Sequence, residues 1–282
     1  MTDAFAPLGR WYFPTVAFLF GACIGSFLNV CVSRWPRDES VVRPRSRCPK
    51  CGHEISWYEN IPLVSWVALR ARCSGCRNPI SVIYPLLEIG VAIGWCLAVI
   101  ELGATFTAIR VAVLGTVLLG IVITDATHYV IPDGFTVFGL FFALVAAAVG
   151  TMIGETLPFA TLYDSVIGAC VGAGAISIIG WLGELALKKE AMGFGDVTLM
   201  GMVGAYLGPG RTLLTIFIGA FLGAVVFLGV VYPIAWVRCR RRGAPFEPPL
   251  VPFGVFLAPA AMIALLWGSR MLHWYAHDVM KL

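Results

Sequence analysis

Eight stretches of this chain are apolar over lengths near that of a membrane crossing, at about residues 11–32, 84–101, 105–124, 135–153, 165–187, 197–208, 212–237 and 253–272. A hydrocarbon core of about 30 Å takes about 20 apolar helical residues to cross, and inside lipid every backbone polar group must be paired within a helix or a closed barrel. The pattern predicts an all-α polytopic membrane protein with about eight transmembrane helices. Composition agrees: 59% of residues are hydrophobic and 13% charged, against about 45–50% and about 25% in soluble proteins. A soluble monomer, a disordered chain, a collagen-like repeat and a nucleic-acid-binding surface are all excluded. The sixth stretch is short, which predicts a helix that tilts, extends into residues 193–196 or is sheltered by its neighbours. The first is too long for a signal-peptide core and follows a tail whose only basic residue is Arg10, so it is expected to stay as a permanent helix.

Basic residues set the expected orientation, because short loops rich in Lys and Arg remain cytoplasmic. Nine lie in segment 33–83 (Arg34, Arg37, Arg43, Arg45, Arg47, Lys50, Arg70, Arg72 and Arg77), two after the fifth span (Lys188, Lys189) and four after the seventh (Arg238, Arg240, Arg241, Arg242). These fifteen of the chain's twenty all fall on one side of an eight-span protein, whereas the opposite side holds Arg10, Arg211 and Lys281. Both termini are therefore expected outside. The expected organisation is a tail and first helix over 1–32, a small cytoplasmic domain over 33–83, and a membrane core of about seven helices over 84–282. Glycines one turn apart, Gly168/Gly172 and Gly219/Gly223, predict close helix packing in lipid.

The inserted domain carries Cys48-Pro-Lys-Cys51-Gly-His and Cys73-Ser-Gly-Cys76, with 21 residues between Cys51 and Cys73. Two C-x2-C knuckles at this separation present four thiolates to one tetrahedral Zn²⁺. Two disulfides are the alternative, and they are rare in a reducing cytoplasm. Four thiolates leave no open coordination position, so Zn²⁺ is expected to be structural, holding a segment too small to bury a good core. His53 is a candidate competing ligand, but the expectation is a surface histidine beside a knuckle. Cys23, Cys31, Cys96, Cys170 and Cys239 are scattered through the spans or their ends and read as packing residues.

Ionisable residues in or beside spans are costly and mark candidate functional positions. Glu88, Asp125, Asp133, Glu184 and Asp196 are of this kind. Asp125 ends the third span and Asp196 opens the sixth within Gly193-Phe194-Gly195-Asp196, and the loop charges place both near the cytoplasmic surface. Two aspartates in close approach share a proton: one carboxylate can take a proton from water while its protonated partner polarises a carbonyl. Glycines at 193 and 195 allow an unusual backbone and the close approach of another chain. An isolated aspartate at such a boundary more often caps a helix or shapes a turn, and that is the expectation for Asp133.

Taken in order, Gly21-Ala-Cys-Ile-Gly25-Ser26-Phe27-Leu28-Asn29-Val30, Ser46-Arg47-Cys48-Pro49-Lys50-Cys51-Gly52-His53, Trp57-Tyr58-Glu59-Asn60-Ile61-Pro62, Cys73-Ser74-Gly75-Cys76, Tyr84-Pro85-Leu86-Leu87-Glu88, Ile131-Pro132-Asp133, Gly193-Phe194-Gly195-Asp196 and Pro252-Phe253-Gly254 resemble the type IV prepilin peptidases, the bacterial leader peptidases of pili and type II secretion. The resemblance spans nearly the whole chain. It implies a GxGD-type aspartic peptidase of the inner membrane whose catalytic pair falls on Asp125 and Asp196. It also implies N-methylation of the newly exposed residue with S-adenosylmethionine, and prepilin or pseudopilin substrates with a short basic leader that ends in glycine. No glycine-rich nucleotide-binding turn marks a cofactor site.

Two other classes share some of these features. A transporter also carries intramembrane carboxylates, but it needs a polar route across the bilayer, and these gather at one face. A zinc-dependent scaffold carries the cysteine knuckles but needs no aspartate pair. Among peptidases, an archaeal-type preflagellin peptidase is disfavoured by the inserted cysteine domain.

Overall fold

The computed structural model describes residues 6–188, 192–242 and 251–281; Lys189, counted above among the basic loop residues, lies outside them. The described residues contain no β-strand, only isolated bridges in the cysteine segment. Seven helices are long and apolar enough to cross a membrane, and an eighth apolar helix is shorter. The all-helical membrane architecture is therefore as expected. Large apolar side chains such as Phe141, Trp181, Phe217, Phe221 and Trp267 are exposed, which suits a surface whose solvent is lipid. The chain divides into two compact units, Met1–Gly120 and Ile121–Leu282.

In the first unit, helix α1 (Ala6–Arg34) precedes the cysteine segment, which contains the short α2 (Val64–Ala68); α3 (Ile83–Leu102) and the start of α4 (Phe106–His128) follow. Helices α1 and α3 meet at glycine. A Cβ at Gly21 would lie 2.8 Å from the Trp95 Cβ, and one at Gly25 would lie 2.7 Å from the Glu88 Cα. Small residues one turn apart thus let the two backbones close up. Phe20 packs edge-to-face on Trp95 at 5.3 Å between ring centroids, and the Trp95 indole donates to the Thr116 Oγ1 of α4 at 3.0 Å. Where the cysteine segment rejoins the membrane helices, the Asn29 amide donates to the Tyr84 carbonyl at 3.1 Å.

The second unit contains α5 (Asp133–Ile153), α6 (Leu162–Leu187), α7 (Phe194–Leu207), α8 (Pro209–Val226), α9 (Tyr232–Arg242) and α10 (Gly254–Trp274). A π-helical turn at Phe227–Val231 joins α8 to α9, so the seventh expected span is one continuous apolar run over Pro209–Arg241. The short sixth stretch is α7, with 14 residues. At 1.5 Å per residue it is about 21 Å long, less than the hydrocarbon thickness. It is sheltered instead, for every residue from Leu199 to Leu207 is buried. A helix apolar on all sides needs walls on all sides. Helix α6 supplies one: a Cβ at Gly168 would run into the Gly204 carbonyl, and one at Gly172 into the Met200 carbonyl. Ser165 adds a hydrogen bond from its hydroxyl to the Ala205 carbonyl at 2.6 Å. Between α8 and α10, a Cβ at Gly219 would come 2.8 Å from the Leu257 side chain, whereas at Gly223 it would make ordinary contact with Phe256 at 3.5 Å.

The third span runs further than the hydropathy suggests. Helix α4 continues to His128, so Asp125 lies within it, a turn before its end. The extension is stabilised by its own hydroxyls: Thr124 donates to the Ile121 carbonyl at 3.1 Å and Thr127 to the Ile123 carbonyl at 2.6 Å. Back-bonding of this kind lets polar residues remain helical at a membrane boundary.

Candidate active site and metal centre

Asp125 is only 5% exposed. Its Oδ2 accepts the Val255 N–H at 3.1 Å, a donor at the first turn of α10 that would otherwise have no helical partner. Gly254 makes room for that contact, since a Cβ there would sit 2.8 Å from Asp125 Oδ2 and 2.9 Å from Ile131 Cδ1. Ile131 is buried and also meets the third element of the cluster, because a Cβ at Gly195 would lie 2.9 Å from the Ile131 Cβ. Gly193 and Gly195 open α7, and Asp196 stands in its first turn.

Asp196 does not act as the N-cap of α7, which is Gly193. Its carboxylate reaches back to the Gly193 N–H, and the charge of Asp125 acts on it. Three short segments far apart in sequence, around Ile131, Gly195 and Gly254, therefore pack together, with Asp125 against Gly254 and Asp196 next in sequence to Gly195. The arrangement can place one carboxylate to accept a proton and the other to donate one. Asp133 is exposed and opens α5, where an acidic residue suits the helix dipole. Glu184 is exposed near the end of α6. Glu88 is elsewhere: it is 9% exposed and its Oε2 accepts the Leu63 N–H at 2.8 Å.

The four thiols of Cys48, Cys51, Cys73 and Cys76 lie within 4.8 Å of one another and could hold a metal ion. Cys48 and Cys76 are 3.8 Å apart and Cys51 and Cys73 are 4.0 Å apart, sulfur to sulfur. Sulfurs at about 2.3 Å from a tetrahedral Zn²⁺ stand about 3.8 Å from each other, so the donor set fits that ion in both chemistry and size. The nine cysteines are all free.

The two knuckles repeat one hydrogen-bond register. In the first, N–H groups of Cys48, Gly52 and Ile55 donate to the carbonyls of His53, Cys48 and Ser46, each at 2.9 Å; in the second, Cys73, Arg77 and Ile80 donate to Asn78, Cys73 and Ala71 at 2.9, 3.0 and 2.8 Å. The residue after each second cysteine is left-handed, Gly52 at φ 74° and Arg77 at φ 59°. These turns aim N–H groups at sulfur. The Asn78 backbone and then its side chain bring the Cys76 thiol down to about 6. Cys48 is lowered by the N–H groups of Cys51 and Lys50. Cys51 accepts the His53 N–H, yet desolvation and its hydrogen bonds with the other thiols leave it at about 11. Donors to sulfur favour the thiolates that a metal needs.

His53 is not placed as a ligand. Its Nε2 is within 3.3 Å of Glu59 Oε2 and 3.0 Å of Ser74 Oγ. Glu59 is held below the usual carboxylate range by the Ser74 hydroxyl, the Ser56 N–H and His53, and it completes a capping box with Ser56. A strained turn follows. Leu63 has φ 62° and ψ −47°, and the Val64 N–H donates across it to the Pro62 carbonyl at 2.6 Å. This is the rarer hand of γ-turn, a conformation that costs about 1–3 kcal/mol and persists only where its surroundings impose it.

Residues 19–102 match the bacterial peptidase A24 N-terminal domain, and residues 112–228 match the type IV leader peptidase family. The chain is 39% identical to a prepilin leader peptidase/N-methyltransferase of Myxococcus xanthus over 95% of its own length and 77% of the relative's. It belongs to the type IV leader peptidase family. Proteins with the same description from Aeromonas hydrophila and Pseudomonas aeruginosa are 34% and 35% identical to this family member over 94% and 93% of both chains. No solved structure matches it. The sequence reading missed the roles of Ile131, Gly254 and Val255 beside Asp125. The motifs Ile131-Pro132-Asp133 and Pro252-Phe253-Gly254 are visible in the sequence, but only the fold shows that Gly254 meets the Asp125 carboxylate and that Ile131 lies against Gly195 and Gly254.

Proposed function

We propose that this chain cleaves the short basic leader from type IV prepilins or type II pseudopilins at the cytoplasmic face of the bacterial inner membrane, and then N-methylates the new N-terminal residue. The observation that carries the cleavage reading is the convergence of Asp125 and Asp196 on a cluster built from glycine contacts. In this reading the pair shares one proton. The ionised carboxylate takes a proton from water as the oxygen attacks the scissile carbonyl carbon, and the protonated partner gives its proton to the carbonyl oxygen. Collapse of the tetrahedral adduct breaks the C–N bond as the leaving amine takes the proton gained from water by the first carboxyl, and a diol hydroxyl returns its proton to the second as the product carboxyl forms, which resets the pair. Val255 holds Asp125 in one orientation throughout.

The excess of Lys and Arg in the loops supports a cytoplasmic orientation for this site and for segment 33–83, where the leader of a membrane-anchored substrate would be reachable. That segment is a structural zinc domain held by Cys48, Cys51, Cys73 and Cys76. S-adenosylmethionine, when bound, supplies a methyl whose bond to a sulfonium sulfur breaks, the electron pair staying with sulfur, as the neutral amine forms its N–C bond and then releases a proton to water. The chain's task in that step is to hold and align the reactants.

Asp125→Asn and Asp196→Asn test the pair. Asn can still accept the Val255 or Gly193 N–H but cannot exchange a proton. Each variant should lose cleavage of a purified prepilin by about 10²–10⁴-fold at equal membrane levels, yet still methylate a pre-cleaved substrate. Cleavage near wild-type rate by either variant removes that residue from the pair. Loss of both activities in well-folded variants places the two reactions at one site.

A further inference from the structure

In the first unit, the segment between α1 and α3 turns outward an apolar face that water would not favour. Trp57 is 77% exposed and Tyr58 58%. Both stand on the 3₁₀ turn Trp57–Asn60, and their rings pack edge-to-face at 5.9 Å between centroids. The short α2 that follows is amphipathic the wrong way round for a solvated helix: Val64 and Val67 are 61% and 68% exposed, whereas Ser65 is buried. The Ser65 hydroxyl donates to the Tyr58 carbonyl at 2.8 Å, which ties the aromatic turn to the helix, and exposed Ile61 lies between them in the chain. Single exposed apolar residues are ordinary, but a linked group of them marks an interaction surface.

The level of this face along the membrane helices identifies what meets it. Helix α3 has 20 residues, about 30 Å at 1.5 Å per residue, which is the thickness of the hydrocarbon core. An upright α3 therefore has Ile83 at one boundary. Glu88 is five residues further in, about 7–8 Å along the axis, and it accepts the Leu63 N–H at 2.8 Å. The strained turn that leads into α2 is thus fastened beside the membrane helix and below its end, not in the water beyond it. Ile83 and Leu86 are exposed on that stretch of α3, where the surrounding medium is lipid, and the valines of α2 continue the same surface. Tryptophan and tyrosine belong at a membrane–water interface, their rings in the apolar layer and their polar atoms toward the headgroups. Arg70 and Arg72, exposed just past α2, complement the phosphates at that level. We infer that the face formed by Trp57, Tyr58, Ile61, Val64 and Val67 is seated in the interfacial layer of the bilayer, so that the cysteine segment rests in the membrane surface and does not project freely from it. The partner of this face is lipid, headgroup and upper acyl chain together.

The test uses the full-length protein reconstituted in nanodiscs of phosphatidylcholine and phosphatidylglycerol whose acyl chains are brominated close to the headgroup. The fluorescence due to Trp57 is the wild-type spectrum minus that of Trp57→Phe. It should be blue-shifted from that of indole in water, lose most of its intensity in brominated lipid and be spared by aqueous iodide, whereas a solvated Trp57 gives the reverse of all three. Independently, benzoylphenylalanine in place of Val67 should on illumination form lipid adducts on the peptide that contains it, read by mass spectrometry, whether or not a prepilin is added to the disc. This second probe decides the matter if Trp57→Phe fails to fold. An aqueous Trp57 emission, the absence of lipid adducts at position 67, or prepilin captured there in place of lipid each overturns the inference.

Discussion

The tightest contact in the proposed catalytic pair is the one that a single methyl would break. Gly254→Ala puts a Cβ 2.8 Å from Asp125 Oδ2 and 2.9 Å from Ile131 Cδ1. The isoleucine methyl is the end of a flexible side chain and can move aside. The carboxylate cannot move without cost, because Oδ2 is fixed by the Val255 N–H at 3.1 Å. Restoring an ordinary separation takes a shift of about half an ångström, enough to weaken or break that hydrogen bond. A hydrogen bond to a charged group contributes about 1.5–3 kcal/mol, and each 1.4 kcal/mol is about a factor of ten in rate. Gly254→Ala should therefore lower kcat for leader cleavage by about ten- to a hundredfold, while KM changes little. The assay is cleavage of a purified prepilin in detergent, with zinc content and thermal unfolding measured on the same preparation. Wild-type kcat in a folded Gly254→Ala protein would refute the reasoning, as would a loss explained entirely by unfolding.

Two further outcomes follow from packing and metal geometry. Gly168→Ala should destabilise the protein by about 1–3 kcal/mol by overpacking the α6–α7 contact, whereas Gly174→Ala on the same helix, with nothing within 4 Å of its Cβ, should be neutral or slightly stabilising; thermal unfolding of the two side by side checks this. Replacing any of Cys48, Cys51, Cys73 or Cys76 with Ser should lower zinc well below one ion per chain by elemental analysis, and His53→Ala should leave it at one, because the His53 ring is engaged with Glu59 and Ser74.

The spans were legible in the sequence because lipid demands long apolar helices, whatever else a protein does. Their ends were less so. Helix α4 outruns its hydrophobic stretch because Thr124 and Thr127 satisfy their hydroxyls within it, a local hydrogen bond that hydropathy does not register. The cysteine knuckles were legible through spacing, since metal geometry fixes the separation of ligands along the chain. His53 is expected from the sequence to be a surface histidine, and the structure adds what engages its ring, Glu59 and Ser74. Asp125 and Asp196 could be singled out as ionisable residues at span ends. Their shared surroundings could not, because the contact between Val255 and Asp125 joins residues 130 positions apart. The turn at Leu63 is likewise a product of three-dimensional closure.

The burial of α7 has a mechanical consequence. Backbone meets backbone along its contact with α6 at Gly168, Gly172 and Gly204, so the helix can neither roll nor slide without collision; packed interiors of this kind have discrete arrangements and little continuous give. Asp196 is thus mounted on a fixed jaw. Asp125 rides near the free end of α4, beside an α10 whose Pro259 removes the helical hydrogen bond to the Val255 carbonyl and softens that first turn. In the cleavage reading proposed above, whatever yields to admit a polypeptide between the two carboxylates is on the Asp125 side, and a cross-link that ties the Ile131 loop to α10 should jam the vice with both jaws chemically intact.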